Sequence, residues 1–174
     1  MQKLIFIFTI LSTLLYSTID LPISFSSDFI QTITTDKKKE IKYSGTVIFS
    51  SPNNFKWRYK TPTKKEVCSN GKELLIVDHD LEQVSAYIID SGLDLSNILK
   101  NAKPHHKGVF VAKYKNKNYT IAIDKQGKLK TIAYRDDLDN IVYIIFYKMR
   151  YRTNKINLVS LKCNYPSNYD YINN

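Results

Sequence analysis

Glycine and proline are scarce in this chain, with 5 of each among 174 residues. That excludes collagen-like, elastic and linker-dominated architectures. Cysteine is rarer still: Cys68 and Cys163 stand alone, and no CxxC spacing exists. The 3 histidines form no HExxH motif. His79 lies between Asp78 and Asp80, which reads as a polar loop rather than a metal site, and His105-His106 is a bare pair. A nucleophile elbow, a phosphate loop and a dinucleotide fingerprint are all missing, and the carboxylates are scattered. The sequence points away from an enzyme, from a metal and from a cofactor. Acidic residues are outnumbered, 16 against 26 Lys+Arg, for a formal charge of +10. Lys, Asn, Ile and Tyr are abundant together, the mark of AT-rich coding, so charge alone assigns no partner.

What is present reads as a folded chain of ordinary size. Hydrophobic residues make up 43% and charged residues 24%, inside the globular range. With 13 Tyr, 8 Phe and 1 Trp, aromatics are plentiful, and together with many β-branched residues they favour strands over helices.

The first segment reads as an address. Met1-Gln2-Lys3 is a short positive region, and Leu4 to Leu15 is an apolar run broken by Thr9, Ser12 and Thr13. Its size and flanks fit a secretory signal peptide over 1–18, cleaved after Ser17 or Thr18, leaving 19–174 as a single domain in the periplasm. No cysteine lies near the end of the run, so no lipid anchor is expected there. In an oxidising compartment Cys68 and Cys163 can pair, although two cysteines do not by themselves establish the geometry.

From Ser24 onward short alternating segments follow one another, the all-β pattern. A strand over Phe25 to Ile33 opens the sheet, and Lys37-Lys38-Lys39 is a hairpin tip. Ile41, Tyr43, Gly45, Val47 and Phe49 then share one face of a strand. Phe55, Trp57 and Tyr59 alternate with Lys56, Arg58 and Lys60, placing rings inward and cations on a solvated exterior. The same opposition of faces argues against a nucleic-acid stacking platform. Asn70-Gly71 signals a hairpin leading into Glu73 to Asp78, and Glu82 to Ile89 alternates again. Asp94 to Lys100 changes period and reads as a capped helix, with Asp94 as N-cap. Strands resume over Gly108 to Tyr114, Tyr119 to Asp124, Lys128 to Arg135 and Ile141 to Arg150, and a last one is expected over Ile156 to Asn164. Val142, Ile144 and Phe146 could line a hollow or pack on a helix. The natural closure is a barrel with one or two helices across it.

Several strings are more specific. Ser24-Phe25-Ser26-Ser27-Asp28-Phe29-Ile30-Gln31, then Gly45, then Pro52 through Pro62, then Asn70-Gly71-Lys72 and Asp80-Leu81-Glu82-Gln83-Val84 resemble, in order and spacing, the LolA family of periplasmic outer-membrane lipoprotein carriers. The resemblance implies a mainly β fold: an incomplete, half-open antiparallel barrel with a short helical lid over an apolar cavity. It implies acylated lipoproteins as cargo, an inner-membrane lipoprotein-releasing ABC transporter as donor, and an outer-membrane acceptor where one exists. It implies a monomer, with no cofactor, no catalysed reaction and no nucleic acid. Phe29, Val47, Phe49, Phe55, Trp57 and Tyr59 are then expected to line the cavity, with Leu95, Ile98 and Leu99 on the lid. A lipid-sensing regulatory protein, or a carrier of another lipid on the same half-barrel, is the alternative.

The chain departs from the family pattern at three places. Ser51 stands where an arginine usually latches the lid. After cleavage only a handful of residues, ending near Ile23, precede Ser24, where the family begins with a helix. Leu75 and Val77 replace aromatics after the glycine turn. The missing latch and the stunted helix predict a looser lid, closing over the single helix near Leu95 to Leu99.

Overall fold

Alternation of apolar and polar side chains governs the architecture of the computed structural model, which describes residues 19, 22–88 and 95–173. The expected signal segment at 1–18, the strand end at Ile89 and the Asp94 cap lie outside the described residues. The chain runs β1 (Ser24–Thr34), β2 (Glu40–Ser50), β3 (Asn54–Thr61), β4 (Lys65–Asn70), β5 (Glu73–Asp78) and β6 (Gln83–Ile88). Helix α1 (Leu95–Lys100) follows, then β7 (Lys103–His106), β8 (Val109–Tyr114), β9 (Lys117–Ile123), β10 (Leu129–Arg135) and β11 (Ile141–Arg152). A 3₁₀ turn at Leu158–Leu161 and β12 (Asp170–Asn173) complete it.

Among the described residues all strands belong to one 12-stranded sheet, ordered β12-β6-β5-β4-β3-β2-β1-β11-β10-β9-β8-β7. The first half is a meander. The second returns as β11 beside β1, with Phe29 opposite both Gly45 and Phe146. The expected Lys37-Lys38-Lys39 tip is there, closed by hydrogen bonds between Thr35 and Lys39.

Three expectations need correction. The sheet is antiparallel except at one edge, where β12 adds to β6 in parallel. Ile156 to Asn164 is not a strand: the Asn157 side chain accepts from the Val159 N–H and starts the 3₁₀ turn instead. A short exposed strand, β7, spans Pro104, which an edge tolerates because nothing outside it needs the missing N–H.

The concave face carries the main core. Phe25, Phe29, Val47, Phe49 and Phe55 from β1–β3 form one buried cluster with Phe110, Tyr119, Ile121, Ile132 and Ile144 from the other half. Two distant parts of one sheet can share a cluster only if the sheet curls over itself. Closure stops short at β5 and β6, where Leu74 and Ile76 are half-buried and Tyr87 is exposed. This is the half-open barrel the sequence resemblance implied. Gly45 fits beneath Phe29 because a Cβ there would run into the Arg58 carbonyl oxygen.

The outer face of β3–β6 is covered as well, by the segment that follows β11. The Cys68–Cys163 disulfide, with Cα atoms 5.7 Å apart, ties this segment to β4. Here the expectation of a solvated Lys56 is overturned. Lys56 points outward, as alternation demands, yet the C-terminal segment buries it. Its ammonium donates to the Lys162 carbonyl at 2.8 Å and pairs with Glu66 at 2.9 Å. Glu66 also accepts from Arg58 at 2.8 Å and from the Asn164 N–H at 2.9 Å. Arg58 and Lys60 stay exposed as expected. Val77, Val84 and Ala86 share this outer face and are buried, which gives Val77 a packing role.

Two predictions follow from this covered face. Replacing both Cys68 and Cys163 with Ser opens a loop of 95 residues and should lower the unfolding free energy by about 4 to 5 kcal/mol in urea titrations. Burial alone would raise the Glu66 carboxyl, but the Asn164 N–H and the Lys56 and Arg58 donors outweigh it and hold the group below its ordinary value. A depressed carboxyl contributes stability above its unfolded pKa, and that stability is lost as pH falls through the lower folded value. Glu66→Gln should therefore unfold more easily near neutrality, by about 3 kcal/mol for a buried Lys56 left without its anion. As pH falls through that lower folded value, its urea midpoint should converge with that of the parent chain.

Candidate functional site

Beneath α1, between the two halves of the curled sheet, lies an apolar cavity. Phe25, Val47, Phe49, Phe55 and Trp57 form its wall on β1–β3. Tyr119, Ile132, Tyr134 and Ile144 form the facing wall on β9–β11, and Leu95 and Ile98 close the top. These side chains converge because each occupies an inward position of its own strand.

Helix α1 is too short to owe its stability to helix propensity. It is held by burial of Leu95, Ile98 and Leu99, spaced i, i+3 and i+4 on one face. At its first turn the Ser96 hydroxyl donates to the Pro52 carbonyl, in the turn between β2 and β3. The expected loose lid therefore has a tether of its own. Ser51 bonds through its backbone N–H to the Ile23 carbonyl at 2.8 Å, while the neighbouring Pro52 receives the helix.

Of the residues expected to line the cavity, Val47, Phe49, Phe55 and Trp57 are on its wall, as are Leu95 and Ile98 of the helix. Phe29 and Tyr59 stand behind the wall. Phe29 meets Trp57 and Tyr59 edge-on, with ring centres 4.7 and 5.1 Å apart. Leu99 is buried in the same cluster. Alternation within β9, β10 and β1 was the available signal for Tyr119, Ile132, Tyr134 and Phe25, but which strands face each other depends on the curl.

The cavity is small, about 40 Å³. A few waters would fill it, whereas ligand pockets typically span about 300 to 1,000 Å³. In this closed arrangement the aromatic walls occupy the space that a guest would take.

Two phenols on the concave face, Tyr134 and Tyr59, stay neutral. Burial pushes the Tyr134 phenol up to about 12, with Tyr119, Asp136 and Asp137 adding to it. Burial also raises Tyr59, reinforced by Tyr134 and Tyr43. The Tyr59 hydroxyl donates to the Gln31 side-chain oxygen at 2.9 Å.

Elsewhere the histidines hold no metal-like constellation among the described residues. His79 lies against Tyr169, and His105 and His106 meet edge-on on the exposed edge strand β7. Glu66 approaches Cys68 and Cys163, but both sulfurs are committed to the disulfide.

Comparisons with known proteins agree with this arrangement. Residues 23–100 match the family model described as outer membrane lipoprotein carrier protein LolA. An outer-membrane lipoprotein carrier protein of Campylobacter jejuni is 40% identical over 149 residues, covering 86% of each chain. That of Wolinella succinogenes is 32% identical over 123 residues, covering 71% of this chain and 72% of its own. Among solved structures, a LolA superfamily protein from Nitrosomonas europaea superposes with a TM-score of 0.51 at 12% identity, covering 83% of this chain and 93% of that one, a likeness of fold. The chain belongs to the LolA family of outer-membrane lipoprotein carrier proteins.

Proposed function

We propose that this chain is an exported carrier that shelters the acyl chains of lipoproteins in its concave apolar cavity and moves them from the inner to the outer membrane. The observation that carries the reading is the cavity beneath α1, walled by aromatic and aliphatic side chains from both halves of the curled sheet. The relatives named outer-membrane lipoprotein carrier proteins support it. On this reading the segment 1–18 directs export to the periplasm, and 19–174 works there as a monomer. An inner-membrane lipoprotein-releasing ABC transporter supplies the cargo, and an outer-membrane acceptor takes it where one exists. No bond is made or broken, so no catalytic residue and no cofactor is called for.

The physics of the task suits the site. An acyl chain loses ~0.8 kcal/mol per CH₂ on leaving apolar surroundings for water, so a carrier must cover most of that surface. It must also let go. An aromatic wall holds a guest through area and dispersion without a directional lock. Because the cavity is nearly filled by its own walls, entry requires α1 and the rings around Trp57 to move apart, and their lost contacts reduce the net affinity. The half-buried Leu74 and Ile76 extend the apolar surface toward the open edge.

The test is native mass spectrometry of the purified mature chain with one lipoprotein in acylated and unacylated forms. Soluble complexes with the acylated form alone are expected, and binding of neither form, or of both equally, would sink the carrier reading. Ser96→Ala should speed capture of the acylated form about 2- to 10-fold, the range of one hydrogen bond, as read by stopped-flow Trp57 fluorescence.

A further inference from the structure

One end of the concave face mixes polar with apolar side chains. Toward the end of the strands away from Pro52, inward positions beside Ile33, Ile41 and Val142 are filled by Gln31 of β1, Tyr43 of β2, Tyr59 of β3, Tyr119 of β9 and Tyr134 of β10. They form two contacting sets, one on β1–β3 and one on β9–β10. Tyr43 meets Tyr59 edge-on at 5.8 Å, and Tyr119 and Tyr134 lie 5.3 Å apart. The Tyr59 hydroxyl donates to Gln31, and Tyr134 is near enough to Tyr59 to help raise its phenol. Gln31 and Tyr119 are buried. Tyr119 and Tyr134 also belong to the wall of the apolar cavity, so the two regions are continuous.

We infer that this tyrosine and glutamine end is a subsite for the neutral ester and amide carbonyls that join acyl chains to their polar head; the inference rests on the carrier reading above. The Tyr119 and Tyr134 hydroxyls on the cavity wall are donors, and burial keeps them protonated. With the Gln31 oxygen engaged by Tyr59, its amide NH₂ is the donating end left for a guest. Donors on a dry wall match carbonyl acceptors, which otherwise enter the cavity with their lone pairs unpaired, at a cost. Phosphate and free carboxylate fit badly, because the cavity wall carries no lysine or arginine to balance their charge. The cations beside the phenols are already paired: Lys65, opposite Tyr59, with Asp78 at 3.0 Å, and Lys117 with Asp137 at 2.8 Å. The apolar wall covers the chains, and the phenols read how those chains are attached.

The test compares two synthetic lipopeptides with the same peptide and chain lengths. One carries a diacylglyceryl cysteine with ester links; the other carries the dialkyl ether analogue, which lacks the carbonyls. Calorimetric titration of the purified mature chain should show the ester form bound about tenfold more tightly, the worth of one to two hydrogen bonds. Tyr134→Phe and Tyr119→Phe, which keep the rings, should bring the ester-to-ether ratio toward one. Equal affinity for both lipopeptides in the parent chain would overturn the subsite without need of any variant, and leave the carrier reading standing. A ratio unchanged in both Phe variants would overturn the assignment to these tyrosines. If neither lipopeptide bound, the carrier reading would fail, and this inference with it.

Discussion

The sheet has to serve as its own second layer. Large apolar side chains crowd its concave face, and among the described residues the only α-helix available to cover them is six residues long. A flat sheet with that face would stay wet, so it folds until β1–β3 oppose β8–β11. Trp57 on β3 reaches Phe146 on β11 with ring centres 6.0 Å apart, across the two intervening strands β2 and β1. Everything about the site follows from this closure. The cavity is the space that curvature leaves, α1 is a plug over its top, and the open side is where the curl runs out at β6.

The two faces of the same strands are built on different principles. Inside, β3 offers Phe55 and Trp57 to a surface held by non-directional contact. Outside, the same strand offers Lys56 to a buried ion pair, and β4 adds Glu66 and a disulfide to the segment lying over it. Directional bonds and a covalent link make the outer side a fixed backing. The inner side can then rearrange around a guest while the register of β3, β4 and β5 is held from behind. A dry ion pair gives little net stability, but it is intolerant of the wrong partner, which suits a backing that must stay in place.

Most strands were legible from local pattern because each inward residue declares itself within its own segment. Phe55, Trp57 and Tyr59 alternate with cations, and hairpin residues at Lys37 to Lys39 and Asn70-Gly71 mark the turns. What the pattern did not carry was anything that depends on chain brought from far away. Lys56 was placed on the correct face and given the wrong environment, because its partner carbonyl lies 106 positions later. Ile156 to Asn164 misled because the Asn157 side chain outcompetes a ladder that local composition would favour. Tyr119 and Tyr134 are cross-strand partners on the adjacent strands β9 and β10, and their place opposite Val47 and Trp57 appears only once the sheet has curled. Leu95, Ile98 and Leu99 were readable by period, whereas the bond from Ser96 to Pro52 joins two segments with no shared motif. The ordered motifs from Ser24 to Val84 identified the family, and alternation within those same segments supplied the candidate wall.

The 40 Å³ cavity gives the empty protein a particular character. Its aromatic walls are, in effect, the resident ligand, and a cargo must displace them rather than drop into a vacancy. Loading therefore swells the molecule, and each guest methylene competes with a ring that already has good contacts. Beneath α1 such a site presents little apolar surface to water. It also has a built-in recoil: the walls regain their own contacts when the guest departs, and discharge is favoured from within.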